Sequence, residues 1–188
     1  MIVLNLRTII TGGLSLSLAA ALGAVVIGRT QEAPIARHRR AHELGAEFLG
    51  AEGVVLQDRA TNCGPAALKM VLDQQGCTVS LQDLEEGSGG GRRAWSMLEM
   101  KNAAARFQID AEGWDLTFSD LQKRRLPAIL FLEEGHFVLV DSITGDYAVY
   151  LRDPAVGKIR MSRPALQRIW KGKSLLCGKS KQATFNIE

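Results

Sequence analysis

The order of hydrophobic patterns along the chain restricts its fold more than any other sequence feature. Helical spacing comes first, in Cys63–Gln75, Ser96–Phe107 and Ser119–Lys123, and strand patterns follow from Ala128 to Met161. Ser162, with a proline two residues later, predicts one more short helix near the C-terminus. Helices followed by an antiparallel meander indicate an α+β fold, in which a helical lobe packs on an antiparallel sheet.

Composition narrows the class of protein further. The chain has 188 residues, 46% hydrophobic and 23% charged, as expected for one globular domain. The net charge of +3 is small, and no basic stripe alternates with aromatic residues, so we expect no nucleic-acid partner. Three cysteines, Cys63, Cys77 and Cys177, are too few for a zinc knuckle or a disulfide framework, although a Cys77–Cys177 bond stays open. The glycine-rich run from Gly87 to Gly91 lacks the lysine of a phosphate-binding loop. We therefore expect neither a metal nor a cofactor.

The N-terminal apolar segment has the length of a membrane span. Thr8–Ile27 contains no charged residue, and Arg7 and Arg29 bound it. About twenty apolar residues at 1.5 Å rise cross a hydrocarbon core of roughly 30 Å. The segment therefore predicts a transmembrane helix. A cleavable signal peptide is the alternative, because small residues follow the apolar stretch.

The charges around this segment predict its orientation and divide the chain. Arg7 alone precedes the segment, whereas four arginines follow it before residue 41, so the positive-inside rule favours a single-pass membrane protein whose body faces the cytoplasm. We expect three parts: an anchor or signal segment in residues 1–30, a polar connector in residues 31–53, and a folded domain in residues 54–188. The connector is predicted to contain a short helix around Pro34–Leu49.

Cys63 lies where a reactive thiol is expected. Asn62 is a suitable N-cap, Pro65 fits the first turn of a helix, and Gly76 ends the helical pattern. The positive end of the helix dipole lowers the pKa of a thiol there and populates the nucleophilic thiolate. A small buried cysteine in a core helix fits the same pattern, so the cysteine needs partners to be catalytic.

Two such partners occur in the strand region. His136 begins a β-branched run, and Asp153 precedes Pro154 at the end of the next strand. Antiparallel neighbours joined by a short turn at Gly145-Asp146 can bring the histidine beside the aspartate. Each residue alone also fits a structural role, His136 as a satisfied core histidine and Asp153 as a turn residue.

Taken together, these motifs resemble a known family. Gln57 stands six positions before Cys-Gly-Pro-Ala-Ala-Leu, which begins at Cys63, and His-Phe-Val-Leu-Val and Arg-Asp-Pro follow downstream. This pattern, over Val54–Gly172, resembles the bacteriocin-processing cysteine peptidases. Those domains remove double-glycine leader peptides, have a papain-like fold, and usually form the N-terminal part of bacteriocin-exporting ABC transporters.

The resemblance implies a role for each of the four residues. Cys63 is expected to be the nucleophile, His136 the general base and acid, and Asp153 the residue that orients the histidine. Gln57 is expected to donate to the oxyanion together with the Cys63 backbone N–H. The expected substrate is a peptide or protein precursor, and a separate ABC exporter is a possible partner.

Departures from the family pattern keep other functions open. The family often has aspartate before the cysteine, where this chain has Asn62, and the sequence contains no transporter span bundle and no P-loop. We therefore expect a stand-alone, membrane-anchored cysteine peptidase, and the departures leave a double-glycine leader substrate open. The resemblance itself implies cleavage after paired small residues such as Gly-Gly. The alternatives are a non-catalytic peptide-binding module of the same fold and an acyl-transfer enzyme that uses the same Cys-His-Asp set.

Overall fold

A computed structural model describes residues 34–88, 93–124, 127–145 and 147–179. In this part of the chain, residues 34–43 form helix α1. The remaining helices are α2 (Cys63–Gln74), α3 (Leu81–Glu86), α4 (Met97–Ala105), α5 (Phe118–Lys123) and α6 (Arg163–Ile169). The strands are β1 (Ala46–Gly50), β2 (Ile109–Asp115), β3 (Ala128–Leu132), β4 (His136–Ile143), β5 (Ala148–Asp153), β6 (Gly157–Ser162) and β7 (Trp170–Lys179).

All of these strands belong to one antiparallel sheet. The order across the sheet within the described residues is β1-β6-β5-β4-β3-β7-β2. Strands β3 to β6 form a meander of successive antiparallel neighbours, while β7 returns to the far side of β3 and pairs with β2. The meander places the start of β4 and the end of β5 at the same edge of the sheet, which matters for the site described below.

The two faces of the sheet bury separate clusters of side chains. Strand side chains alternate between the faces, so Ile129 and Leu139 pack with α2, α3 and α4, while Leu130 and Val138 face the other side. That other side is covered by α5, α6 and Ala41 of α1. Helices therefore lie on both faces, and in the layer that contains α2 and α4, α2 packs on β4 while α4 packs on β2.

Two glycines lie at close contacts, one near the start of α2 and one after β5. A Cβ at Gly64 would lie 3.2 Å from the Met100 sulfur and 3.4 Å from the Phe137 ring, so a larger residue there would require these side chains to shift by a few tenths of an ångström. Gly157 has φ of +125° and would carry its Cβ 2.5 Å from the Gly50 carbonyl oxygen. Gly64 thus lies where α2 packs on β4, and Gly157 lies where β6 packs against the end of β1.

The predicted α+β fold is confirmed, with corrections in detail. The helices at Cys63, Ser96 and Ser119 and the strands from Ala128 all occur near their predicted positions. The helix predicted around Pro34–Leu49 ends at residue 43, and β1 follows and pairs with β6, so the sheet begins before residue 54. Strand β2, helix α3 and the length of β7 are not among the sequence-based predictions.

The predicted single-pass membrane localisation is corrected. Among the residues that the structure describes, from 34 to 179 with three short gaps, no helix has the length and apolar character needed to cross a bilayer. The segment Thr8–Ile27, which motivated the prediction of a transmembrane helix, lies outside the described residues. The glycine-rich positions 89–92 and Asp146 of the predicted turn also lie outside them.

Candidate active site

Cys63 is the first residue of α2 and points toward β4. The residue is buried, with 2% of its surface exposed, and the His136 side chain and the Phe137 backbone lie close enough to lower the pKa of its thiol. The helix begins here because Pro65 fits its first turn. No acidic side chain lies in that turn. The thiol thus lies at the positive end of the α2 dipole, against the start of β4.

His136 and Asp153 meet at one edge of the sheet, as the predicted hairpin required. His136 begins β4 and Asp153 ends β5, and the histidine Nε2 lies 2.7 Å from the Asp153 Oδ1. Asp153 is 1% exposed, and the same oxygen accepts a 2.7 Å hydrogen bond from the Ala155 backbone N–H. Because Nε2 faces the carboxylate, Nδ1 is the ring nitrogen left for the thiol of Cys63.

The surroundings favour an ion pair between the thiolate and the imidazolium. Burial alone raises the pKa of the Cys63 thiol, but hydrogen bonds from His136 and the Phe137 backbone and the histidine charge outweigh burial, so the pKa is lowered. Burial likewise lowers the pKa of His136, yet the Asp153 and Cys63 hydrogen bonds raise it to about 9. At neutral pH the histidine is therefore charged beside a thiol that ionises readily.

Gln57 lies next to this cluster because its backbone is tied to the turn after Asp153. The Gln57 N–H donates to the Pro154 carbonyl oxygen at 2.8 Å. The side chain is half-buried, and its Oε1 is buried without a hydrogen-bond partner among the described residues. The backbone of Gln57 is thus fixed to the turn after Asp153, and its side-chain oxygen accepts no hydrogen bond from the described residues.

Asn62 occupies the predicted N-cap position but does not cap the helix. Its side chain makes no hydrogen bond to the first turn of α2, and its Nδ2 instead donates to the Asp58 Oδ1 at 2.8 Å. Its Oδ1 accepts from the Arg59 N–H at 3.4 Å. The capping interaction predicted from residue type is wrong, because a nearby carboxylate competes for the amide.

A groove lies near the start of β4, on the face of the sheet that α2 and α4 cover. Its volume is about 580 Å³, and Gly135 and Phe137, the two neighbours of His136, contribute to its wall. The remaining apolar wall comes from α4, the segment before it and β3, with the side chains of Trp95, Met97, Leu98 and Phe131. The groove wall therefore reaches the two chain neighbours of His136, while none of the four candidate catalytic side chains lines it. The sequence analysis did not predict Trp95 or Phe131 as part of a binding surface.

The other two cysteines lie apart from this cluster. Cys77 and Cys177 are both free thiols, so the disulfide left open by the sequence is absent between these two described residues. Burial raises the pKa of Cys177 to about 12, which leaves its thiol protonated and unreactive at neutral pH. Cys63 is thus the cysteine with a histidine partner.

This arrangement is that of the papain-like cysteine peptidases. It consists of an antiparallel sheet, a helix that begins at a cysteine, and a His–Asp pair at the facing sheet edge. A solved structure of a double glycine motif protease from an AMS/PCAT transporter, in complex with the leader peptide, has this fold. It is 25% identical, superposes with a TM-score of 0.63, and the match covers 72% of this chain and 99% of that one.

Sequence comparison gives the family directly. The chain belongs to the Peptidase C39 family, whose model matches residues 51–182. An uncharacterized protein of Methanothermobacter marburgensis is 33% identical over 129 residues, 69% of this chain and 90% of that protein. The probable functional amyloid protease FapD of Pseudomonas aeruginosa is 28% identical over 63% of this chain and 57% of its own length. The resemblance to double-glycine leader peptidases is thereby confirmed.

Proposed function

We propose that the protein is a cysteine peptidase that hydrolyses one peptide bond in a peptide or protein precursor. The observation that carries the proposal is that three separate elements bring Cys63, His136 and Asp153 together, with His136 bonded to Asp153 and close enough to Cys63 for each to shift the pKa of the other. Membership of a peptidase family and the likeness to a leader-peptide protease support the same reaction. We assign the nucleophile to Cys63, the general acid and base to His136, and the orienting carboxylate to Asp153.

The reaction follows from the charges at the cluster. The Cys63 thiolate attacks the carbonyl carbon, and the carbonyl oxygen becomes an oxyanion that takes hydrogen bonds from Gln57 and the Cys63 backbone N–H. The His136 imidazolium gives its proton to the departing amine, which leaves a thioester on Cys63. His136 then removes a proton from water, the hydroxide attacks the thioester, and the thiolate is regenerated. Asp153 holds the imidazole ring in place and stabilises its charged form throughout.

The groove supplies the binding surface for the substrate. An apolar wall that ends at Gly135 and Phe137 can hold apolar side chains of a peptide while its scissile carbonyl lies at Cys63. The solved relative in complex with a leader peptide supports a leader-type substrate. We propose cleavage after paired small residues, and a peptide exported by an ABC transporter as the substrate class.

A peptide library tests this function with the full-length chain. The library varies the two residues before the cleaved bond among glycine, alanine and larger side chains, and mass spectrometry locates each cut. We expect cuts after Gly-Gly and Gly-Ala pairs. Peptide binding without cleavage would instead identify a binding module, and transfer of the acyl group to an added amine without hydrolysis would identify an acyltransferase.

The pH dependence of kcat/KM should be bell-shaped, with its alkaline limb near pH 9. The pKa of His136 is raised to about 9, so the imidazolium needed by the leaving amine is lost as the pH rises through that value. On the acid side, activity falls as the Cys63 thiolate takes up a proton. Because the pKa of Cys63 is lowered, this limb lies below the ordinary pKa of a thiol. Initial rates of cleavage measured from pH 4 to 10 give both limbs, and an alkaline limb near pH 7 would contradict the assigned ion pair.

Replacing Gln57 with alanine should lower kcat about 100-fold, with little change in KM, because the oxyanion loses one of its two donors. The matched control is Gln74→Ala, since Gln74 is exposed at the end of α2. Steady-state kinetics on the best library peptide measure both variants. Equal kcat values for the Gln57 and Gln74 variants would remove Gln57 from the oxyanion site.

A further inference from the structure

The loop between Gln57 and Cys63 sets the distance between the two proposed oxyanion donors. One donor is the side chain of Gln57, and the other is the backbone N–H of Cys63. Neither is fixed by the regular hydrogen bonding of a strand, because residues 57–62 form a bend and a turn before α2 begins. The geometry of the oxyanion site therefore depends on the Gln57–Pro154 backbone bond and on the contacts that stiffen residues 58–62.

Asn62 bonds across the loop from a fully buried position. Its surface is 1% exposed, and its side chain engages both Asp58, through Nδ2 at 2.8 Å, and the Arg59 N–H, through Oδ1 at 3.4 Å. Its backbone N–H donates to the Arg59 carbonyl oxygen at 3.4 Å, which closes the turn. The amide must supply a donor to one partner and an acceptor to the other, which a neutral amide does and a carboxylate does not.

An ion pair connects the same loop to α3. The Arg59 guanidinium lies 2.6 Å from the Glu85 Oε2 and 3.1 Å from the Asp58 Oδ1. Glu85 is only 7% exposed, and its neighbour Leu84 is fully buried in the core beneath α2 and α4. The loop is thus bonded internally by Asn62 and externally by Arg59 to a helix that is itself anchored.

We propose that Asn62 is a positioning residue, which with Asp58, Arg59 and Glu85 forms a brace that fixes Gln57 relative to Cys63. The proposal rests on the proposed peptidase function, because the brace acts through the oxyanion donors. It also explains the presence of a neutral residue beside the nucleophile. A carboxylate at position 62 would meet the Asp58 carboxylate at hydrogen-bond distance and would add negative charge next to the Cys63 thiolate.

Kinetics of the full-length chain test the brace. The Asn62→Ala variant should show kcat about tenfold lower, with KM within about twofold of wild type, because misplaced donors affect the transition state more than substrate binding. The control is Asn102→Ala, since Asn102 is exposed on α4. A folded Asn62→Ala variant whose kcat equals that of the control would overturn the proposal.

Exchange of donor and acceptor provides the rescue experiment. Asn62→Asp alone should lower kcat as Asn62→Ala does and should raise the pH at which iodoacetamide alkylates Cys63. The double variant Asp58→Asn/Asn62→Asp restores a hydrogen bond with its direction reversed, so at the pH optimum of each enzyme kcat should recover to within about threefold of wild type. The alkylation pH should stay raised, because the negative charge remains. A double variant no better than the single one would overturn the proposal.

Amide hydrogen exchange separates the brace from the peptidase reaction. Residues 57–64 should exchange faster in Asn62→Ala than in Asn102→Ala, whether or not any peptide is cleaved. If Asn62→Ala does not fold, Glu85→Gln replaces it, with Glu86→Gln as the control because Glu86 is exposed on the same helix. Unchanged exchange in the folded variant overturns the brace, whereas a wild-type chain that cleaves nothing overturns only the proposed function.

Discussion

Replacing Cys63 with alanine should lower kcat by on the order of 10⁴-fold or more while the folded structure persists. The reaction depends on a thiolate that attacks the peptide carbonyl, and alanine offers no nucleophile at the start of α2. The loss is not total, since the oxyanion donors and the groove still bind the substrate and speed attack by water slightly. The fold persists because alanine removes a single buried atom, the sulfur, from a first turn that already contains glycine and proline.

The matched control for this variant is Cys77→Ala. Cys77 is a half-buried free thiol on the same side of the molecule, so its loss changes packing without touching His136. We expect kcat of the Cys77 variant within about twofold of wild type, measured with the same peptide, and melting temperatures within a few degrees for both. Retained cleavage by Cys63→Ala would remove the nucleophile from the mechanism.

Replacing His136 with glutamine should lower kcat about 10³-fold or more. The departing amine then receives no proton from the enzyme, and the pKa of Cys63 rises because the hydrogen bond and the charge of the histidine are both lost. Glutamine is chosen because its amide N–H still donates to Asp153. Alanine would leave that carboxylate, 1% exposed, with a single hydrogen bond from the Ala155 N–H.

Iodoacetamide alkylation gives a second measurement on the same variant. In wild type the midpoint of Cys63 alkylation should lie below the ordinary thiol pKa, and in His136→Gln the midpoint should move toward higher pH. His42→Gln is the control, since His42 is exposed on α1. An unchanged alkylation midpoint in His136→Gln would show that the histidine does not hold the thiolate.

The sequence predicted the placement of the catalytic candidates because local rules place them. A proline in a first turn puts Cys63 at a helix start, and a short hairpin brings the beginning of β4 to the end of β5. These signals involve neighbours along the chain. In the structure the His136 Nε2 lies 2.7 Å from the Asp153 Oδ1. The family resemblance supplied the roles, which local rules alone left open.

Features that depend on distant partners were not predictable in the same way. β2 has a mostly exposed face and lacks clear alternation, so it is recognised as a strand only through its pairing with β7. The helix predicted beyond residue 43 gives way to β1 because Gly45 takes a φ of +70° and β6 offers a partner. Asn62 has the right residue type for a cap, yet the carboxylate of Asp58, four residues earlier, takes its amide.

The most direct test of the account uses a peptide whose scissile bond is replaced by a chloromethyl ketone after a Gly-Gly pair. The reagent alkylates a nucleophile held at the scissile carbonyl, and peptide mapping by mass spectrometry locates the adduct. We predict one adduct, on Cys63, with activity lost in proportion to the fraction modified and with protection by the uncleaved substrate. An adduct on Cys77 or Cys177, or full peptide cleavage by a chain whose Cys63 is completely modified, would contradict the account.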